Sequence, residues 1–182
     1  MDMKKIEVEI EGVTPLLMNS PKAMLEESNE SVQKTKKRNH KDDAEKVAYR
    51  MKNGNLYVPS EAVKGCLINA SSYKKAGKYA LKPLIAGGVR IEPREIDLGT
   101  DKYELDIRTV VIQRSRVPKA RPRLEKWSIK FDIVYNQDLI ANPEIIKQCL
   151  EEAGQRVGIL DFRPQHNGSF GMFTLKEWKV QK

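Results

Sequence analysis

Within the stretch Trp127-Ser128-Ile129-Lys130-Phe131-Asp132-Ile133-Val134-Tyr135, Trp127, Ile129, Phe131, Ile133 and Tyr135 alternate with Ser128, Lys130 and Asp132. A period of two puts one set of side chains on a buried face, so this is a long strand with an aromatic-rich inner surface. A few residues later the period lengthens. Asn142 stands as an N-cap, Pro143 takes the first helical position, and Ile145, Ile146, Cys149, Leu150 and Ala153 recur at helical spacing. Gly154 is placed to cap the C-terminus.

Working outward, Met172 opens a last strand carrying Phe173, Leu175, Trp178 and Val180, whose alternation breaks near Glu177, at a bulge or at the end of the ladder. At the other end, Ile6-Glu7-Val8-Glu9-Ile10 alternates apolar and acidic residues and ends at Gly12 and Pro15. Ser60 reads as an N-cap before Ala62, Val63, Cys66, Leu67 and Ala70, a helix over 61–72. Gly65 inside that helix costs roughly 1 kcal/mol relative to Ala, which points to close packing or to the approach of a ligand. A short strand over 88–92 follows Gly87-Gly88. The order is then strand, helix, strand, strand, helix, strand: an α+β chain with the ferredoxin-like (RRM-related) βαββαβ pattern, an antiparallel sheet with two helices on one face.

Two stretches fall outside this pattern. Residues 19–55 form a mobile basic insertion, because Ser28 to Lys46 is almost wholly polar and buries too little apolar surface to offset its ordering entropy. Lys36, Lys37 and Arg38 lie in its basic middle. It is either a solvated loop or an arm that orders on a phosphate backbone. Residues 93–126 form the second insertion. There Leu105, Ile107, Thr109 and Val111 alternate, and the densest positive run follows: Arg114, Arg116, Lys119, Arg121, Arg123 and Lys126. Pro118 and Pro122 keep that run extended. Its arginines suit phosphate, unless they form only a solvated charged hairpin.

The chain has 182 residues, 40 % of them hydrophobic, enough for a single domain over 1–182. Thirty-three Lys and Arg against 25 Asp and Glu leave a net charge of +8, which favours polyanions. No apolar run approaches the roughly 20 residues of a membrane span, and the charged N-terminus is no secretory signal, so a cytoplasmic protein without membrane partners is expected. Cys66 and Cys149 lie among apolar residues, away from any Cys or His at metal-ligand spacing, so neither a disulfide framework nor a zinc site is expected. No cofactor motif is present.

No nucleophile, base and orienter stand together. Asp42 and Asp43 are the weak catalytic candidates: they balance Lys41 and Lys46, or they hold a metal for phosphodiester cleavage. Binding features are stronger. In Asp161-Phe162-Arg163-Pro164-Gln165-His166-Asn167-Gly168-Ser169-Phe170-Gly171, Phe162, Phe170 or His166 can stack on a base, Arg163 can meet phosphate, and glycines let backbone approach it. The bland alternative is a packed loop whose Phe residues cover a sheet edge.

Three segments resemble the RAMP (repeat-associated mysterious protein) superfamily. They are Val13-Thr14-Pro15-Leu16-Leu17-Met18 after the first strand, Asn53-Gly54-Asn55-Leu56-Tyr57-Val58-Pro59-Ser60-Glu61-Ala62-Val63-Lys64-Gly65 at the first helix, and Arg156-Val157-Gly158 through Gly168-Ser169-Phe170-Gly171-Met172-Phe173 at the last strand. The resemblance implies a backbone subunit of a CRISPR antiviral effector. Such a subunit assembles head-to-tail on single-stranded guide RNA beside copies of itself or other effector subunits. Carried over by position, Ser60, Lys64 and Gly65 contact the RNA backbone, and 93–126 supplies a thumb-like hairpin. The chain is similar as well to solitary RAMP-like proteins of phages and prophages. Alternatives are a metal-dependent endoribonuclease using Asp42 or Asp43, a phage-borne protein that binds a CRISPR complex, and a single-stranded DNA binder.

Overall fold

Strand β1 (Met3–Gly12) lies inside a four-stranded sheet and pairs antiparallel on both sides. The computed structural model describes residues 1–22, 39–76, 79–112 and 114–181. After β1 come β2 (Leu16–Leu17), helix α1 (His40–Lys46), β3 (Tyr57–Pro59), α2 (Ser60–Ala70), β4 (Lys75–Ala76), β5 (Tyr79–Ala80) and α3 (Leu81–Gly88). Then follow β6 (Val89–Glu92), β7 (Glu95–Asp97), β8 (Glu104–Ile112), β9 (Ser115–Leu124), β10 (Ser128–Asn136), α4 (Glu144–Glu152) and β11 (Phe173–Val180). The chain is mixed α+β with antiparallel sheets.

The main sheet has the order β11-β1-β10-β6. In it Ile6 faces Ile133, Val8 faces Phe131 and Ile10 faces Ile129, all buried beneath α2 and α4. Each such side chain contributes about 1.5–3 kcal/mol by leaving water. The break near Glu177 is a register shift between Glu9 and Ile10, opposite Leu175 and Glu177. A three-stranded sheet, β2-β9-β8, carries the basic hairpin, with Thr109 opposite Pro118 and Asp106 opposite Arg121.

The opposite face of the main sheet is laced by ions. Lys5 pairs with Asp132 at 2.8 Å, Lys130 with Glu9 at 3.3 Å, and Lys176 with Glu9 and Glu11 at 3.6 Å. The polar half of each alternating strand supplies these charges, and antiparallel register sets opposite signs side by side.

Several expected boundaries move. Pro59, not Ser60, occupies the cap position of α2; Ser60 is the first helical residue, and its N–H donates to the Arg94 carbonyl at 2.9 Å. At α4 the start is one residue later than expected: Pro143 occupies the cap position, and Asn142 before it accepts at Oδ1 from the Glu144 N–H at 3.0 Å. Gly154 does not end its helix. The chain continues through a wider turn, Ala153–Val157, to Gly158 at φ 71°. At Gly154 a Cβ would stand 2.1 Å from the Phe173 carbonyl, so packing against β11 demands glycine there.

Of the segment expected to be mobile, 23–38 lies outside the described residues, and Lys36, Lys37 and Arg38 with it. Farther on, His40–Lys46 is helical, with Asn39 Oδ1 accepting from the Lys41 N–H at 3.1 Å and Ala44 buried. Sequence reading also missed α3, whose Leu81, Ile85 and Gly88 are buried; Pro83 in its first turn and the Gly87-Gly88 end mask its helical signal.

Candidate nucleic-acid interface

The loop after α4 is built by close backbone approach. A Cβ at Gly168 would fall 1.8 Å from the Phe162 carbonyl, and one at Gly171 2.0 Å from the Ile159 carbonyl. The amides of both glycines and of Phe170 are bonded within the loop or to the chain beside it. Phe170 N–H donates to Phe162 at 3.1 Å, Gly168 N–H to Arg163 at 3.0 Å, and Gly171 N–H to Pro15 at 2.8 Å. These glycines therefore close the loop on itself and do not present amides to phosphate. The same crowding leaves Phe170 buried and Phe162 39 % exposed, with their rings 6.0 Å apart. Of the aromatic pair expected to stack on bases, only Phe162 faces solvent. His166 is exposed in a short 3-10 turn.

Arg108 of β8 completes this cluster and was not singled out from sequence. Its guanidinium lies 4.8 Å from the Phe170 centroid and 5.9 Å from that of Phe162, and its Nε donates to Asp106 at 2.9 Å. Arg108 faces Lys119 across the hairpin. The shared parity of Asp106, Arg108, Lys119, Arg121 and Arg123 was a usable signal, because opposite residues of an antiparallel pair share a face.

The basic run divides into paired and unpaired cations. Arg121 is buried and its Nη1 meets Asp161 Oδ2 at 2.5 Å, tying β9 to the loop. Arg123 pairs with Glu125. Burial against Asp161 turns Arg121 away from solvent, contrary to expectation, while Arg123 keeps a surface position beside its partner. Arg114 and Arg116 are exposed near the hairpin turn, where Arg114 takes φ 68°, and Lys119 is half-buried.

Arg163 lies across its own loop. Nη1 donates to the Leu160 carbonyl at 2.8 Å, and Nη2 to Gln165 Oε1 at 3.2 Å. Asn69 of α2 donates to the same Gln165 oxygen at 3.2 Å, joining helix to loop. Between them is a cavity of about 290 Å³ lined by Tyr49, Glu61, Gly65, Asn69, Leu160, Asp161 and Arg163 among others. Here the structure brings together two regions chosen separately from sequence, the start of α2 and the loop. A Cβ at Gly65 would meet nothing within 4 Å, so this glycine borders open space rather than a close contact. Lys64 is half-exposed beside it, while Ser60 is buried with its hydroxyl 3.3 Å from Glu61 Oε2. Burial pushes the Tyr49 phenol up, with Tyr57 and Asp161 adding to the shift.

Asp42 and Asp43 stand in the first turn of α1, where carboxylates favour the positive end of the helix dipole. Among the described residues, no group of three or more His, Cys, Asp and Glu is placed to hold a metal ion. Also among them, no helix is long and apolar enough to cross a membrane. No protein-family model and no curated protein matches the chain.

Proposed function

We propose that the chain binds single-stranded RNA, such as a CRISPR guide RNA, without cutting it. The strand runs over the surface where α2, the loop 158–171 and the β8–β9 hairpin meet. Successive copies assemble head-to-tail along it as RAMP-like backbone subunits. The observation that carries this reading is that the loop joins both neighbours: Arg108 of the hairpin lies over the Phe162 and Phe170 rings, Asn69 of α2 donates to Gln165, and Arg163 lines the polar cavity between helix and loop. The ion-laced outer face of the sheet supports it by contrast, because its cations already face carboxylates and no aromatic side chain lies among these ion pairs.

A ferredoxin-like core is part of the same reading. Counting only β1, β6, β10 and β11 as the strands of the βαββαβ pattern, the sheet order is fourth, first, third, second. Each parallel pair, β1 with β6 and β10 with β11, skips one strand. Two right-handed crossovers interleaved in this way put both helices on one face.

Fluorescence anisotropy of a labelled 30-nucleotide RNA tests the proposal. If Lys64, Arg114, Arg116 and Lys119 each neutralise one phosphate, affinity falls roughly 50-fold between 50 and 200 mM salt, from a slope of about −0.7 per contact. Sedimentation should show more copies per strand as the RNA lengthens. Tight binding that ignores salt, equal binding of DNA, or a fixed single copy on any length refutes the respective part.

A further inference from the structure

The cavity between α2 and the loop has a chemistry of its own. Its volume of about 290 Å³ is at the small end for ligand sites, so it admits one ring system rather than a run of bases. Two of its charges are already committed. Asp161 is paired with Arg121, and the Arg163 guanidinium is spent on Leu160 and Gln165. Glu61 is left as a carboxylate whose Oε2 receives the Ser60 hydroxyl at 3.3 Å and whose Oε1 has no protein donor among the described residues. On the wall Glu61 and Asp161 are balanced by Arg163 and by Arg121 behind Asp161, so the cavity carries no cationic excess to draw in a phosphate. Gly65 leaves the space over α2 open, and Leu160 and the Tyr49 ring supply apolar surface.

We propose that this cavity receives a single guanine splayed out of the bound strand. This rests on the RNA-binding reading above. Guanine alone among the RNA bases offers two adjacent donors, N1–H and the 2-amino group, on one edge, and these match the two oxygens of a carboxylate. Adenine and cytosine set a ring-nitrogen lone pair beside their amine, and uracil flanks its single N–H with two carbonyls; each turns an acceptor toward Glu61. The backbone then passes Lys64, one residue before Gly65 on the helix surface.

The test compares a uridine 12-mer with the same strand bearing one central guanine, by anisotropy at fixed salt. The guanine strand should bind about tenfold tighter, and inosine in its place, which lacks the 2-amino group, should lose most of that gain. Glu61→Gln, which swaps an acceptor for a donor, and Gly65→Leu, which fills the cavity, should each bring the guanine-to-uridine ratio to about one. Gly65→Leu should melt at or above the wild-type temperature, since it replaces a helical glycine without a clash. Equal binding of the two strands by the wild type, or undiminished preference for inosine, overturns the guanine assignment while RNA binding stands. Failure of both strands to bind overturns the two readings together.

Discussion

Arg121→Ala separates structure from recognition within the basic run. Arg121 is 8 % exposed and its partner Asp161 28 % exposed, with 2.5 Å between Nη1 and Oδ2. Breaking a fully buried ion pair costs about 3–5 kcal/mol, and an exposed one is worth about 0–1 kcal/mol. Asp161 retains access to water, so the loss falls between these limits, at about 2 kcal/mol, including the packing of the arginine stem. For a chain of 182 residues that lowers the melting temperature by about 4–8 °C. A thermal melt followed by circular dichroism measures it. A double-mutant cycle with Asp161→Ala should return a coupling of about 1–2 kcal/mol. Arg114→Ala with Arg116→Ala should behave oppositely, leaving stability within about 0.5 kcal/mol but lowering the salt slope for RNA by about 1.4. Should Arg121→Ala melt within 1 °C of wild type while reducing the salt slope, Arg121 is a phosphate ligand and the division of the run into paired and unpaired cations is wrong.

Gly154→Ala drives a methyl group against the Phe173 carbonyl and should cost about 1–3 kcal/mol, read as a lowered urea midpoint. The Arg50 guanidinium, aided by the Tyr103 hydroxyl, holds the Glu45 carboxyl below its ordinary 4.5. A depressed carboxylate stabilises the fold above its unfolded value and loses that contribution as pH falls. Stability should therefore decline below about pH 4.5, and Glu45→Gln should flatten that part of the decline in a pH series of melts. Burial pushes the Cys66 thiol up to about 12 and the Cys149 thiol up to about 11. Both should react with a thiol reagent only after denaturant is added; rapid modification of the native protein contradicts their burial.

The central strands were legible because each carries its own period. Ile6-Val8-Ile10 and Ile129-Phe131-Ile133 alternate without interruption, and a sheet buried on one face needs that pattern in sequence order. Helix α4 was legible through Asn142 and Pro143, since capping is local chemistry. Helix α1 was not. Only Ala44 of its seven residues is buried, so its position depends on contact with β9 and not on an apolar stripe. Tertiary partners likewise decided the fate of single side chains. Arg121 read as a phosphate ligand because Asp161, which claims it, lies 40 residues away and meets it only once the hairpin packs on the loop, whereas the Glu125 partner of Arg123 stands two residues along the chain. Gly65 was legible from the cost of a glycine inside a helix, Lys64 only through the family resemblance, and Arg108 needed the strand pairing that puts it opposite Lys119.

The loop glycines bear on how any affinity is built. A phosphate cradle needs free amides pointing one way, but here the Gly168, Phe170 and Gly171 amides are bonded to Arg163, Phe162 and Pro15. Donation to a strand then falls to side chains, and those without an ion-pair partner among the described residues include Lys64, Arg114, Arg116 and Lys119. Such cations stand on flexible stems and act as point charges or forks, so they follow the backbone of any sequence and their effect weakens with salt. The proposed discrimination between bases would then fall to the Glu61 carboxylate on α2 and to the Phe162 ring on the closed loop. Substituting the glycines of the loop would consequently unfold that platform before it altered a phosphate contact, whereas removing the hairpin cations would lower affinity and leave base preference intact.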